Sequence, residues 1–538
     1  MRVYLDPRVL RIFLLGIASG FPWVMIGSVL TLWLKDAGLS RTDIGFAGAI
    51  FAVYSINFLW APLLDRYQPL EFLGFGRRKS WIVLALAAMA LSCFTVGLTD
   101  PLIDAKLTVM CCLLIAICSA TQDISIDAYR IDSIPESESH LIPAAAAMAT
   151  AGWWTGFSGL GAAALFLSDM DAIGWTTLYQ ICALTLLIIN LVVMAFPNAD
   201  SSKQITNSQS DRDSSMKKYI ALVRTTSVNT RALAVGLTLV PIFILLWVIA
   251  GTPLISENSR GHVLFVPVLF AGAISALILS IHLLTTRSKN SLEQYDIEQD
   301  KQPADPITYV AAYILSTLGQ PFASFFQKSG VSLAARILLF IFLFKIGEAF
   351  LGRMSVLFYN ELGFSNSEIA QYSKLLSWWV TISVSLLGGW FTIRYGMIKG
   401  LFLAGVAMAA SNCMFSMMAI AGPEHWLFAI TVIIDGITSA WSSVAFVAFI
   451  SVLVDRNYSA SQYALFASLG TMGRTVLSTS SGSWVDALGG NWAIFFFLTA
   501  VMVIPALLLL RSIAKHPLLM QSLSDTQLSK STDKSKII

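Results

Sequence analysis

The chain has 538 residues, of which 56% are hydrophobic and only 12% charged, and its formal net charge is +3. A soluble globular domain carries about 25% charged residues. With a mean hydropathy of +0.71, the composition therefore excludes an ordinary soluble domain and describes a polytopic membrane protein, while so small a charge gives no reason to expect a nucleic-acid partner.

Crossing the hydrocarbon core takes about 20 apolar residues, and fourteen segments reach that length. A basic N-terminus (Arg2, Arg8, Arg11) leads into 9–34, too long for a secretory signal and read as an uncleaved first span. The spans 43–64, 80–99, 106–130, 140–167 and 172–196 complete a first six, so that residues 1–196 form an N-terminal bundle. Residues 197–230, rich in Ser, Asp and Lys, read as a flexible cytoplasmic linker. Two inserted spans follow, 231–250 and 261–283, making up residues 231–283. The stretch 284–333 opens with charges and continues as ITYVAAYILSTL (307–318), where Ile307, Val310, Ala311, Ile314, Leu315 and Leu318 recur at helical spacing ahead of Pro321. This predicts an amphipathic helix on the inner membrane surface, with a buried re-entrant segment as the alternative. The spans 334–358, 366–389, 397–420, 425–451, 459–486 and 491–511 form a C-terminal bundle over 334–511, and 512–538 is a cytoplasmic tail.

Placing the N-terminus inside puts 27 of the 35 Lys and Arg residues in inner segments, four in outer loops and four within spans. That bias predicts cytoplasmic termini. The six cysteines lie in or at the edge of apolar runs, without CxxC spacing or neighbouring His, and read as small buried hydrophobes rather than metal ligands or disulfides. The segments LDRY…GFGRRK (64–79) and FTIRYGMIKG (391–400) are both basic loops with Arg-Tyr near Gly, each joining the second and third spans of its six. A parallel repeat of this kind predicts two bundles related by an axis along the membrane normal.

Charges stranded in apolar spans carry the functional argument. Each costs about 2.5–3.5 kcal/mol near the bilayer centre, so it persists only where water, a partner or a ligand meets it. Asp123 and Asp127 lie in the fourth span of the first bundle. Lys345, Glu348, Arg353, Lys374, Asp435 and Arg474 lie in the first, second, fourth and fifth spans of the last. In a two-bundle transporter of the major facilitator type, these are the spans that line the central cavity. Asp123 and Asp127, four residues apart, share a helix face, and burial beside a like charge suits a carboxyl to pick up and release a proton; a fixed bridge to Lys or Arg is the alternative. Gln122 offers a donor and an acceptor to a sugar or peptide, or else a helix-packing hydrogen bond. Lys345 either neutralises Glu348 or attracts an anionic substrate group. Asp435 and Arg474 are expected to pair across helices in a structural or gating role. Arg353 and Lys374, nearer the outer side, either draw an anion into the mouth or snorkel to the interface. Trp378 and Trp441, with Trp153 and Trp154, sit near span centres, where they stack on sugar rings or pack against helices. Asp65, Arg66, Arg77 and Arg78 flank the loop between the second and third spans and suit a latch that breaks as the bundles rock, beside their part in anchoring. No HExxH, Walker A, GxSxG or metal-spaced His cluster is present, so no enzyme and no cofactor are expected.

The stretches GIASGFP (16–22), FLWAPLLDRY (58–67), GRRKSW (76–81), SATQDISIDAYRIDSIP (119–135), FVAFISVL (446–453) and SASQYALFASLGTMGR (459–474) resemble the AmpG muropeptide permeases of Gram-negative bacteria, a branch of the major facilitator superfamily. Eukaryotic acetyl-CoA transporters are similar around the Gln-Asp…Asp segment. The resemblance covers essentially all the spans. It implies twelve core helices plus two in the inner membrane, and proton-driven import of anhydromuropeptides (GlcNAc-anhydroMurNAc, with or without its peptide) for cell-wall recycling. Through the imported ligands it also implies β-lactamase induction. A monomer working with substrate, protons and lipid is expected, with functional weight on Gln122, Asp123 and Asp127. Another polar metabolite, such as an acyl-CoA, is the competing cargo. Thr121 stands where Ser is expected, and Lys79-Ser80 where Arg-Gly is expected; both departures leave substrate preference open.

Overall fold

The computed structural model describes residues 2–39, 50–51, 53–168, 170, 172–199, 214, 216–221, 223, 308–309, 312–313, 316–317, 320–364, 368, 377–478 and 481–516. All regular structure among them is helical. Among the described residues, seven helices are long and apolar enough to cross a membrane; of the other expected spans, 43–64, 140–167 and 334–358 consist of shorter pieces, while 366–389 and 459–486 contain helices of 19 and 20 residues. The inserted pair, most of the two linkers, half of 307–318, and Lys374 lie outside the described residues.

The first span is α1 (Pro7–Val24), a π-helical turn (Met25–Val29) and α2 (Leu30–Asp36). Asp6 caps α1 by accepting from the Arg8 backbone N–H at 2.8 Å, and the Arg8 side chain holds the Asp6 carboxyl below the usual carboxylate range. The described part of the second span contains α3 (Val53–Ile56) and α4 (Ala61–Arg66), separated by a 3-10 turn at Asn57–Leu59. α5 (Arg77–Val96) and α6 (Pro101–Asp132) follow. α7 (Ile142–Trp154) passes through a second π-helical turn (Thr155–Leu160) into α8 (Gly161–Ser168), and α9 (Trp175–Met194) ends the first bundle.

Ahead of the second bundle, α10 (Gln320–Ser329) is bent by 110° from the span that follows. That span is α11 (Val331–Leu343) and α12 (Ile346–Leu362), interrupted at Phe344–Lys345. α13 (Ser377–Tyr395), α14 (Met397–Ala421), α15 (His425–Leu453), α16 (Ser459–Ser478), α17 (Ser481–Ala487), α18 (Trp492–Val501) and α19 (Ile504–Ala514) complete it.

Helices in lipid gain little from burying apolar surface against one another and rely on close van der Waals fit, so small residues mark their contacts. Between α1 and α7 the fit is backbone to backbone. A Cβ on Gly20 would lie 2.1 Å from the Trp153 carbonyl oxygen, and one on Gly152 would lie 2.2 Å from that of Phe13. The second bundle repeats the device where α16 meets α11: a Cβ on Gly473 would lie 2.3 Å from the Phe342 carbonyl oxygen. Gly152→Val should therefore lower the thermal midpoint of the detergent-purified protein sharply, overpacking costing about 1–3 kcal/mol or more. Gly352→Ala, with nothing within 4 Å of the added carbon, should match or exceed the wild type.

The two bundles meet at the face that carries the N-terminus. One apolar cluster there joins Phe58, Leu64 and Ile131 of the first bundle to Phe449, Tyr463 and Phe466 of the second, with Phe322 and Phe325 of α10 inserted. A second joins Ile12 and Ala145 to Val444 and Ala448. Asn57, in the turn that breaks the second span, accepts from the Ser468 hydroxyl at 2.8 Å.

Candidate functional site

Asp123 projects from α6 toward α1, where the Ser19 hydroxyl donates to it at 2.6 Å. No cation pairs with it among the described residues. Aromatic rings gather beside it. Trp23 lies 4.3 Å from Tyr54, 5.0 Å from Phe51 and 5.6 Å from Trp153, ring centre to ring centre; Trp153 in turn contacts Trp154 and Phe157. The Trp23 indole Nε1 and the Tyr54 hydroxyl are buried without a hydrogen-bond partner, although both belong to side chains that interact with Asp123. Both π-helical turns adjoin this group, Met25–Val29 after Trp23 and Thr155–Leu160 after Trp154. Such turns leave backbone groups unpaired and often mark functional sites; here the Tyr179 hydroxyl donates to the Met25 carbonyl at 2.8 Å.

Asp127, one turn further along α6, is arranged differently. Arg130 donates to it at 2.8 Å, reaches Ser451 on α15 at 3.0 Å, and stacks 5.1 Å from the Tyr463 ring centre. The expected proton-coupling pair is thus split into one carboxylate held by a hydroxyl and one fixed in a bridge between bundles. Gln122 is fully buried, and neither amide atom has a hydrogen-bond partner. Against the expectation of substrate contact it is not exposed, and it does not form the alternative packing bond either.

The second bundle holds the other charge cluster. Lys345 caps the break between α11 and α12. An ammonium has three donors, and here they go to Glu348, to Ser442 Oγ at 2.7 Å and to Ser443 Oγ at 3.0 Å. Glu348 also accepts from Ser439 at 2.9 Å. Mutual neutralisation thus leaves Lys345 no donor free for a substrate anion. Asp435 takes a bond from Ser411 at 3.4 Å, and Thr438 in turn donates to Ser411 at 3.0 Å. The expected Asp435–Arg474 ion pair is absent: Arg474 is exposed, while its charge acts on both Lys345 and Glu348. Arg353 is exposed on α12. Trp441 packs between helices, 4.7 Å from Phe391 and against Gly388. The Trp378 side chain lies outside the described set.

The loop charges gather where the two bundles meet. Arg78, 1% exposed, bonds Asp65 Oδ1 at 2.7 Å, Asp132 Oδ2 at 2.8 Å and Ser459 Oγ at 2.7 Å. Asp65 also accepts from the N–H groups of Ala460 (3.2 Å) and Ser461 (2.8 Å), and from the Ser461 hydroxyl. These donors begin α16, so the carboxylate sits at the positive end of that helix. Arg77 bonds the Asp65 carbonyl at 2.7 Å. Arg66 is turned outward, to Thr317 at 2.6 Å and over the Tyr313 ring at 4.0 Å.

Two helical bundles that meet at one face and carry ionisable side chains on their facing helices point to a solute carrier. Residues 12–351 match the Major Facilitator Superfamily. The chain belongs to that superfamily. Over 510 residues it is 25% identical to "Putative transporter AmpG 4" of Rickettsia conorii, covering 95% of this chain and 97% of that protein. It is 24% identical to the "Anhydromuropeptide permease" of Escherichia coli K12, over 95% of this chain and 80% of the relative. Among solved structures, the proton:xylose symporter XylE superposes with a TM-score of 0.58 at 12% identity, covering 95% of both chains. The human organic anion transporter MFSD10 gives 0.54 at 14% identity, over 94% of this chain and 99% of that one. These relatives bear out the all-helical major facilitator fold and the resemblance to AmpG proteins, and this chain is a multi-pass major facilitator transporter.

Proposed function

We propose that this transporter imports anhydromuropeptides from periplasm to cytoplasm across the bacterial inner membrane, coupled to protons. Asp123 carries this reading: a carboxylate inside a span that accepts from the Ser19 hydroxyl, pairs with no cation among the described residues, and lies beside the Trp23 and Tyr54 rings, whose Nε1 and hydroxyl have no hydrogen-bond partner within reach. Such a group can hold a proton while substrate occupies the chamber and release it on the other side. The rings around it suit the faces of a disaccharide, and the open donors suit its hydroxyls. The relatives named AmpG and anhydromuropeptide permease support the cargo. The excess of basic residues in the segments on the N-terminal side supports cytoplasmic termini, which makes the face where the bundles meet the cytoplasmic one, latched by Asp65, Arg77 and Arg78. Asp127 then works with Arg130 as part of that closure, and exposed Arg353 draws anions toward the mouth.

The test is uptake of labelled GlcNAc-anhydroMurNAc into proteoliposomes with an imposed pH gradient. Accumulation that collapses with a protonophore supports the reading. Transport unaffected by the gradient removes the coupling, and competition by an acyl-CoA but not by muropeptide changes the cargo.

A further inference from the structure

We infer that Arg474 is the anion receptor of the transport chamber and sets a preference for substrates bearing a free carboxylate; this deepens the muropeptide reading and rests on it. Lys345 lies within electrostatic reach of three other intramembrane charges of the second bundle, Glu348, Asp435 and Arg474, and Glu348 within reach of Arg474. Of the four, three are occupied. Lys345 and Glu348 close on each other with three serines, and Asp435 is held through Ser411 and Thr438. Arg474 has neither an ion pair nor a hydrogen bond among the described residues and is exposed.

Its height is set independently by packing. The neighbouring Gly473 abuts the Phe342 carbonyl, three residues before the Lys345 break, so the guanidinium stands at the level of the charge cluster. Glu348, the carboxylate on which the Arg474 charge acts, is already neutralised by Lys345. A guanidinium presents a planar fork that takes a carboxylate through two parallel bonds, and a cation in a span persists only where something meets it. In GlcNAc-anhydroMurNAc the lactyl carboxylate supplies that group. In this arrangement the sugar rings face Trp23 and Trp153 in the first bundle, and the acid faces Arg474 in the second.

The experiment compares uptake of GlcNAc-anhydroMurNAc with that of its lactyl methyl ester, in proteoliposomes. The wild type should show a KM for the acid lower than for the ester by about tenfold or more, as expected for a charge-assisted bond. R474Q should bring that ratio to about one, and R474K should restore part of it. A wild type that treats acid and ester alike overturns the assignment even if R474Q fails to fold, and so does an R474Q protein that keeps the wild-type ratio. A wild type that takes up neither compound while transporting another solute overturns the muropeptide reading, and this assignment falls with it.

Discussion

Asp123→Asn should leave the transporter folded, inserted and able to exchange substrate, yet unable to accumulate it against a gradient. The amide keeps an acceptor for the Ser19 hydroxyl, which now donates at 2.6 Å, and adds no bulk. What is lost is the proton. One pH unit corresponds to 1.36 kcal/mol per proton, or tenfold in an equilibrium ratio, so a gradient of about two units supports about a hundredfold accumulation for one co-transported proton. The variant should bring that ratio to about one in the proteoliposome assay, while counterflow of labelled against unlabelled muropeptide persists. Accumulation at the wild-type level would remove Asp123 from the coupling. Asp127→Asn should act differently, because Asp127 is bound to Arg130: it should disturb the contact with Ser451 and Tyr463 rather than abolish proton coupling.

Arg78→Met should be among the most destabilising single substitutions in the chain. Removing this guanidinium leaves Asp65 and Asp132 buried side by side, 4% and 6% exposed, without the cation that both use. Breaking one side of a buried ion pair costs about 3–5 kcal/mol, mostly through the charge left behind. The expected result is a large fall in thermal midpoint and in yield from detergent extraction. Asp65→Asn provides the contrast. It keeps the shape of the site but weakens the hold on the first N–H groups of α16, so its main effect should be on the balance between states. A cysteine placed on the closed face should become more reactive to a water-soluble thiol reagent in Asp65→Asn. Unchanged labelling would show that the capped helix does not help to hold that face shut.

Much of this architecture was legible in the sequence because the bilayer imposes a length on every span. The expected 425–451 appears as His425–Leu453, and 397–420 as Met397–Ala421. The interruptions were not legible. The π-helical turns at Met25–Val29 and Thr155–Leu160, and the break at Lys345, change neither span length nor hydropathy, so a count of apolar residues passes over them. Lys345 and Glu348, three apart on one helix, were readable as a pair. Asp435 and Arg474 were not, since whether charges on separate helices meet depends on rotation about each axis. The burial of Gln122 has a related cause: its neighbour Asp123 meets Ser19 on α1, while Gln122 turns about 100° away, into the packed interior. The contributions of Ser19, Trp23 and Tyr54 went unnoticed, because a hydroxyl and two aromatics in apolar spans carry no distinguishing mark. The close contact of α1 with α7 did leave a signal, Gly16-x-x-x-Gly20 facing Gly152-x-x-x-Gly156, a spacing that lets helix backbones touch.

The 110° bend ahead of Val331 lays the short helix Gln320–Ser329 across the start of the second bundle. Phe322 and Phe325 are wedged between both halves of the molecule, and Gln462, near the start of α16, grips the same short helix through the Pro321 carbonyl at 2.8 Å and the Ser324 hydroxyl at 2.9 Å. Each phenylalanine ring drawn into water forfeits about 1.5–3 kcal/mol of burial. Parting the two halves on this side would therefore mean prising out an aromatic chock, a cost borne by the helix that precedes the second bundle.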